Sequence, residues 1–509
     1  MAFFALTAFL FLDFGNIAAP SLAGAVLFPQ FVPSLLKYMN ATTLGATGFI
    51  VVVILTVLCG RVYCSTVCPL GTLQDVIGFA ARKKRKRPDF RFSAPRHVLR
   101  YSILALTVLL MLAGQGLLLN LLDPFSGFGR MAANLARPVV LAANNAAATV
   151  FEGLGVHTLY RAPWAEVSPV SVFVAAAMLM LVGWLAATRG RLYCNTVCPV
   201  GALLGLFSKI ALFRIGIEAT ACTGCRRCEG ACKASCIDLR TKTVDAGRCV
   251  GCYNCLAVCA KGGLRFENRW RGRAPAAGPD RERRDFILNS GWYLLGLAGV
   301  AEPTKMIIQS KPTTISALPT SPISPPGSAG IERFTSTCTA CHLCVSACPS
   351  RVLLPSFLEF GFRGMMQPRM SFQAGHCNYD CTICLNVCPS GAILPLSVEK
   401  KRLTQVGVAK FIKENCVVYT DHTDCGACSE HCPTKAVDMK PYPNPANIKL
   451  VIPEVKPEYC IGCGGCEHAC PTKPYKAIYV DGNPEHRLAR KPAVRKIEPR
   501  VDDNEDFPF

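Results

Sequence analysis

Cys222-Thr-Gly-Cys225-Arg-Arg-Cys228-Glu-Gly-Ala-Cys232 is the stretch on which the reading of this chain turns. Its thiols follow the spacing C-x2-C-x2-C-x3-C. The same spacing recurs at Cys249, Cys252, Cys255, Cys259, at Cys338, Cys341, Cys344, Cys348, and at Cys460, Cys463, Cys466, Cys470. Stretched variants stand at Cys377, Cys381, Cys384, Cys388 and at Cys416, Cys425, Cys428, Cys432. Structural zinc uses separated C-x2-C pairs, four thiolates to one ion. Disulfides need an oxidising compartment and do not explain a repeat. Neither accounts for six quartets of this form.

The spacing is the ligand set of bacterial-type [4Fe–4S] clusters, in which the fourth Cys of a quartet serves the other cluster of a pair. Six quartets predict six [4Fe–4S] clusters in three α+β two-cluster modules. Crossing gives Cys222, Cys225, Cys228 with Cys259, and Cys249, Cys252, Cys255 with Cys232. It gives Cys338, Cys341, Cys344 with Cys388, and Cys377, Cys381, Cys384 with Cys348. The last module gives Cys416, Cys425, Cys428 with Cys470, and Cys460, Cys463, Cys466 with Cys432. Pro349, Pro389, Pro433 and Pro471 follow crossing cysteines, whereas the first module has Lys233 and Ala260 there. Cys236 is a spare thiol able to compete as a ligand. Cys338-Thr-Ala-Cys341-His342 fits the haem-attachment pattern C-x-x-C-H, but its cysteines belong to a complete quartet, so no haem is expected.

The chain has 509 residues, room for several domains, and its composition shifts along the way. Residues 41–59, 98–122 and 169–188 are apolar runs, broken only by Arg100. Each is about the ~20 residues a membrane-spanning helix needs. Residues 2–12 are apolar but shorter; they read as part of a helix starting upstream, or else as a helix tucked into the bundle. The net charge of +21 divides as +8 over residues 60–100, zero over 123–168, +10 over 189–285 and +3 from 301 onward. Basic charge thus alternates with the runs, the positive-inside pattern. This puts Cys64, Cys68, Cys194, Cys198 and the first module in the cytoplasm and residues 123–168 outside. The basic run 82–87 reads as an anchor to anionic lipid, and no nucleic-acid partner is expected.

Arg283-Arg284 precedes a mildly apolar segment, 289–301, like an internal twin-arginine export signal. The bland alternative is a chance pair of arginines in a basic linker. Residues 310–330 are rich in Pro and Ser, a linker composition. The resulting expectation is an α-helical membrane bundle of about four spans plus an export-signal helix, with three two-cluster modules. The domains are residues 1–215 (bundle), 216–270 (cytoplasmic module), 271–330 (signal and linker), and 331–400 and 401–509 (periplasmic modules).

Gly60-Arg-Val-Tyr-Cys64-Ser-Thr-Val-Cys68-Pro69-Leu-Gly71 recurs as Gly190-Arg-Leu-Tyr-Cys194-Asn-Thr-Val-Cys198-Pro199-Val-Gly201. Such a repeat predicts two related helix pairs about a pseudo-two-fold axis. That packing would gather Cys64, Cys68, Cys194 and Cys198 into one further metal centre. The alternative is two separate dithiols, or turns in which Pro ends a helix.

The two C-x3-C-P motifs, Cys64 to Pro69 and Cys194 to Pro199, with the quartets from Cys222 and Cys249 behind them, resemble the NapH/NosR-type membrane iron–sulfur proteins. Residues from Arg283 on resemble the exported NapG/MauM-type ferredoxins, so the whole chain resembles a fusion of the two. The resemblance implies an electron-transfer subunit, of quinol-dehydrogenase type, in a bacterial inner membrane. It would carry electrons from the quinol pool to a periplasmic reductase or cytochrome. NosR relatives bear an exported flavin domain ahead of the first span; none is seen here, so no covalent flavin is expected. A second reading is a redox assembly factor that reduces copper or thiols for respiratory metalloenzymes. His97, Asp123 and His157 read as interfacial anchors, and no catalytic residue is assigned.

Overall fold

The computed structural model describes residues 1–41, 44–85, 90–162, 164, 168–268, 319–443 and 450–491. Arg283-Arg284, segment 289–301, residues 310–318 of the linker, and Lys86 and Arg87 of the basic run lie outside the described residues.

The first part is helical: α1 (Ala2–Leu12), α2 (Pro20–Leu27), α3 (Phe31–Ala41), α4 (Gly48–Cys59), α5 (Tyr63–Thr66), α6 (Pro69–Arg85) and α7 (His97–Leu112). There follow α8 (Leu117–Leu122), α9 (Pro124–Met131), a π-helical turn (Ala132–Ala136), α10 (Arg137–Gly153), α11 (Pro169–Arg189), α12 (Leu192–Thr196) and α13 (Pro199–Lys209). Among the described residues α11, with 21 residues, is long and apolar enough to cross a membrane; α2 and α3, bent by 101°, would make a second span if taken together. The other expected spans are shorter than the apolar runs suggest. The run 98–122 breaks after Leu112, where Gly114 takes φ +74°, and restarts as α8. Within the run 41–59, α4 starts at Gly48, whose missing side chain admits the carbonyl of Phe28: a Cβ there would meet that oxygen at 1.8 Å. At ~1.5 Å per residue, helices of 12 and 16 residues fall short of the ~30 Å hydrocarbon core. Among the described residues, one or two candidate spans therefore stand where about four were expected.

Helix α1 is tucked into the bundle. Phe11 is fully buried, and its ring lies 5.7 Å from that of Phe125 and 6.0 Å from that of Phe128. Gly60 and Gly190 close α4 and α11 with φ of +79° and +64°. Glycine adopts that region without the Cβ clash other residues meet, so both repeats turn sharply into their cysteine motif.

The first ferredoxin module pairs β1 (Phe213–Ile217) with β4 (Leu264–Asn268), antiparallel, around the hairpin of β2 (Ile237–Asp238) and β3 (Thr243–Val244), with α14 (Arg227–Ala231) and α15 (Asn254–Ala257). Its core is continuous with that of the bundle.

Residues 319–491 form a second body with its own core. Strands β5 (Leu353–Pro355) and β6 (Pro368–Met370) pair, as do β7 (Thr404–Phe411) with β10 (Ile478–Leu488), and β8 (Val437–Tyr442) with β9 (Leu450–Val455). The expected boundary at residue 400 does not divide this core: Phe334, Leu385 and Ile393 pack in the same cluster as Val406, Val418 and Val480. Asp481 on β10 ties the start to the end, accepting from the amides of Thr320 (2.9 Å) and Ser321 (2.8 Å).

His486, on the same strand, meets Ser324 Oγ through Nε2 at 2.9 Å while its Nδ1 has no partner. Burial holds its pKa down at about 4. An unfolded chain takes up a proton there near pH ~6.5, and the folded chain does not until about pH 4. Stability of this body should therefore fall as pH drops between those values. His486→Gln should flatten that part of the profile in thermal unfolding; an unchanged slope would place the titration elsewhere.

Candidate iron–sulfur sites

The two repeated C-x3-C-P motifs meet face to face. Cys64, Cys68, Cys194 and Cys198 are all buried, each at most 4% exposed. Their thiols lie within electrostatic reach of one another, and Gln74 Nε2 donates to Cys194 Sγ at 3.3 Å. Each motif is pinned by the arginine of the other. Arg61 donates from Nη1 to Gly201 O (2.8 Å) and from Nη2 to Asn195 Oδ1 (2.6 Å). Arg191 donates from Nη1 to Cys64 O, and forms a two-pronged ion pair with Asp75 at 2.9 and 2.7 Å. Gly71 and Gly201 let each motif close tightly on itself, since a Cβ would stand 2.3 Å from Cys64 O and 2.1 Å from Cys194 O respectively. The exchange Arg61-to-second, Arg191-to-first is the pseudo-two-fold relation read from the repeat. Both arginines, at most 1% exposed, stand in the repeated Gly-Arg-x-Tyr-Cys string, a signal that the sequence analysis left unused.

The first ferredoxin module sits directly on this arrangement. Arg61 Nε donates to Cys249 O (3.3 Å), Arg191 N to Lys233 O (2.9 Å), and Asn195 Nδ2 to Ala234 O (3.1 Å). Lys233, where the expected proline is missing, forms an ion pair with Asp75 at 2.8 Å. The position after the crossing cysteine has thus become a tether to the bundle.

Cys232, Cys249, Cys252 and Cys255 line one cavity, and Cys236 lines it as well. The Cys236 sulfur lies 3.5 Å from that of Cys232. Cys222, Cys225 and Cys228 stand within mutual electrostatic reach, with Cys225 exposed, and Cys259 follows α15. In the second body, Cys348 shares a cavity with Cys377, Cys381 and Cys384, and Cys470 shares one with Cys416, Cys425 and Cys428. Cys388 faces Cys338, Cys341 and Cys344, and Cys432 faces Cys460, Cys463 and Cys466. In the second body each set lies near the thiol that crossing assigns, whereas the Cys249, Cys252, Cys255 set has both Cys232 and Cys236 beside it.

Burial pushes the Cys255, Cys428 and Cys463 thiols up to about 12. Thiolates at these positions need a compensating cation, which iron supplies on binding. Among the described residues no three His, Cys, Asp or Glu side chains converge on a single metal ion. Ligands of a cubane are spread around four irons, so thiol sets of this kind suit a cluster better than a lone ion.

The sets follow one another in order. Cys344 lies within electrostatic reach of Cys384, Cys463 of Cys377, and Cys466 of Cys428. The Cys377 amide donates to Cys463 O at 2.9 Å. The Cys338 quartet in turn seats on the bundle. A Cβ on Gly129 of α9 would stand 2.3 Å from Cys341 O, and Asn134 Nδ2 donates to His342 Nδ1 at 3.0 Å. His342 Nε2 donates to Met366 O at 2.8 Å. Both ring nitrogens are engaged, which leaves neither for a haem iron. The two bodies meet opposite ends of α11: Gly190 lies against Lys233 at its C-terminal end, and the Trp164 carbonyl ahead of its start accepts from Arg351 Nη1 at 2.7 Å. A helix of 21 residues spans about 30 Å.

Tyr193 lies within electrostatic reach of Cys194 and Cys198, and Asp123 and Arg130 lie within reach of both Tyr193 and Cys341. Tyr193 OH donates to Leu122 O at 3.0 Å, and Asp123 caps α9 through Ser126 at 2.6 and 2.8 Å. Arg130 is buried, and its Nε and Nη1 have no hydrogen-bond partner. Asp123 is thus a buried helix cap and not an interfacial anchor.

Cys236→Ser is expected to leave iron content unchanged, with Cys232 as the ligand. If Cys232→Ser instead keeps its iron while Cys236→Ser loses it, by metal analysis and EPR, the spare thiol is the true ligand.

Comparison with known proteins fits this arrangement. One family model, a 4Fe-4S binding domain, matches residues 41–88 and again 170–218, the stretches that hold the two C-x3-C-P repeats. A second, a 4Fe-4S dicluster domain, matches residues 337–392 and 423–473. These matches define an iron–sulfur electron-transfer protein. Among curated proteins the chain is similar to the ferredoxin-type protein NapH of Haemophilus influenzae, 27% identical over 44% of this chain and 62% of the relative. NapH of Escherichia coli is 26% identical over 36% of this chain and 51% of the relative. The methylamine utilization ferredoxin-type protein MauN of Methylobacillus flagellatus is 25% identical over 49% and 78%. No solved structure matches. The chain is thus similar to NapH-type ferredoxins and carries several 4Fe-4S binding domains.

Proposed function

We propose that the chain is a membrane-bound conduit that takes electrons from quinol and delivers them to a redox partner in the periplasm. The observation that carries this reading is the single-file order of the thiol sets. They run from the exposed Cys225 through Cys249 to the C-x3-C-P motifs, then from Cys341 to the set containing Cys416 and Cys470. [4Fe–4S] clusters held by these thiols supply one-electron carriers. The ligands are the six crossed quartets, with Cys64, Cys68, Cys194 and Cys198 as a seventh set. The residues around them exclude water and fix spacing. Arg61, Arg191 and Lys233 clamp the first module, while Gly129 and Asn134 seat the second body. The charge alternation and Arg283-Arg284 support a cytoplasmic first module and an exported second body in a bacterial inner membrane.

The test is reduction of the clusters in isolated membranes by a quinol analogue, followed by visible absorbance and EPR. The purified chain should carry about 24 iron in the six quartets, four per cubane. Reporter fusions after Ala260 and after Pro471 should report opposite sides of the membrane. Rapid reduction by a cytoplasmic donor alone, with every quinol inert, would move the entry point to the Cys225 end and favour the assembly-factor reading.

A further inference from the structure

Four arginines surround one cavity where the first ferredoxin module meets the end of α11. Arg91 and Arg96 come from the segment before α7, Arg189 from the last turn of α11, and Arg248 from the ferredoxin module. Phe90 and Ser235 complete the part of the wall that matters here, and the cavity volume is ≈ 350 Å³. Arg248 is 5% exposed. Its Nε donates to Asp245 and its Nη1 to Ser93 O, both at 2.6 Å, but its Nη2 is buried with no partner. Arg91, Arg96 and Arg189 are exposed, and among the described residues none has an ion-pair partner. No carboxylate or imidazole belongs to the lining.

Like charges confined around one space repel unless an anion lies between them. Guanidinium groups match the oxygens of a phosphate with paired donors. Oxidation of a quinol releases protons and calls for a nearby acceptor, which this lining does not offer. The cavity also lies at a defined depth. Its lining includes Thr188 and Arg189, where the full-length apolar helix ends, and in a spanning helix that is the level of lipid headgroups. Phe90 offers an apolar surface beside the charges, and basic pockets at this level hold anionic headgroups.

We propose that this cavity binds the phosphate of an anionic phospholipid headgroup, and that the bound lipid clamps the ferredoxin module to the membrane surface. The lipid source rests on the membrane reading above; the phosphate chemistry does not. The experiment uses the full chain with its iron, purified in detergent and exchanged into micelles holding equal phosphatidylglycerol and phosphatidylcholine. Native mass spectrometry should find one phosphatidylglycerol retained per chain, in preference to phosphatidylcholine by about tenfold, the ratio that 1.4 kcal/mol gives. The double variant Arg91→Gln, Arg189→Gln changes two exposed side chains and should abolish that preference with the visible iron–sulfur absorbance unchanged. Equal retention of both lipids, or a preference untouched by the double variant, would overturn the site. Binding of inorganic phosphate without any preference for phosphatidylglycerol would put the ligand in solution and overturn the lipid assignment. Carbonate washing of membranes separates the two readings. A chain released by carbonate that still prefers phosphatidylglycerol keeps the lipid site and loses the spanning bundle.

Discussion

Changing any one of Cys64, Cys68, Cys194 or Cys198 to Ser is expected to stop electrons passing from the first module to the second body, and to do so equally at all four positions. The four thiols are buried together and interlocked by Arg61 and Arg191, each reaching into the opposite repeat. A centre that spans both repeats cannot survive as half. The loss should exceed the roughly 10–100-fold that removal of an outer-shell partner costs. Gln74→Leu, which removes the donor to Cys194 Sγ, should fall within that smaller range. Two readouts separate the ideas: iron per chain should fall by the same amount in all four serine variants, and reduction of the outer clusters by a donor to the first module should be lost. Two phenotypic pairs, Cys64 with Cys68 and Cys194 with Cys198, would mean independent dithiols.

Gly129→Val should detach the second body from the bundle while leaving both folded. The added side chain would be driven into Cys341 O, 2.3 Å from the new Cβ, and into the Phe11 ring at 2.7 Å. Neither can retreat easily: one is backbone beside a thiol set, the other a fully buried ring. Overpacking of this kind costs about 1–3 kcal/mol, which is concentrated on the contact because the body beyond it has its own core. Iron content should stay at the wild-type value, and electron passage to the outer clusters should fall by about tenfold or more, as 1.4 kcal/mol or more at the contact would give. Limited proteolysis should release the 319–491 body intact. Normal passage in a variant shown to be detached would mean that the Cys341 contact is not the crossing point.

The six quartets were legible because ligand spacing is a local property, and Cys222 to Cys232 needs no knowledge of the fold. The meeting of the two C-x3-C-P motifs was legible too, since a repeat of Gly60 to Gly71 at Gly190 to Gly201 carries its symmetry with it. Span lengths were not. Hydropathy averages over Gly114, Gln115 and Gly116, whereas the helix does not. Lys233 in place of proline read as a departure from pattern, and its reason, the ion pair with Asp75, lies 158 residues away in sequence. The seating of Cys341 on Gly129 had no sequence signal at all, because both contacting groups present backbone and no side chain.

One backbone detail bears on energy along the row of thiol sets. In the four compact quartets the residue after the second cysteine, Arg226, Tyr253, His342 or Gly464, is left-handed, with φ between 56° and 78°. In the two stretched quartets Thr382 and Gly426 take φ of −122° and −123° instead. Reversing that dihedral turns the following amide dipoles to a different direction, and hydrogen bonds to sulfur are among the levers that set cluster potential. The first module contains two compact quartets, whereas each pair in the second body joins one compact to one stretched. Iron bound there would meet unequal surroundings at successive sets, so unequal cluster potentials are expected along the second body and more even ones within the first module.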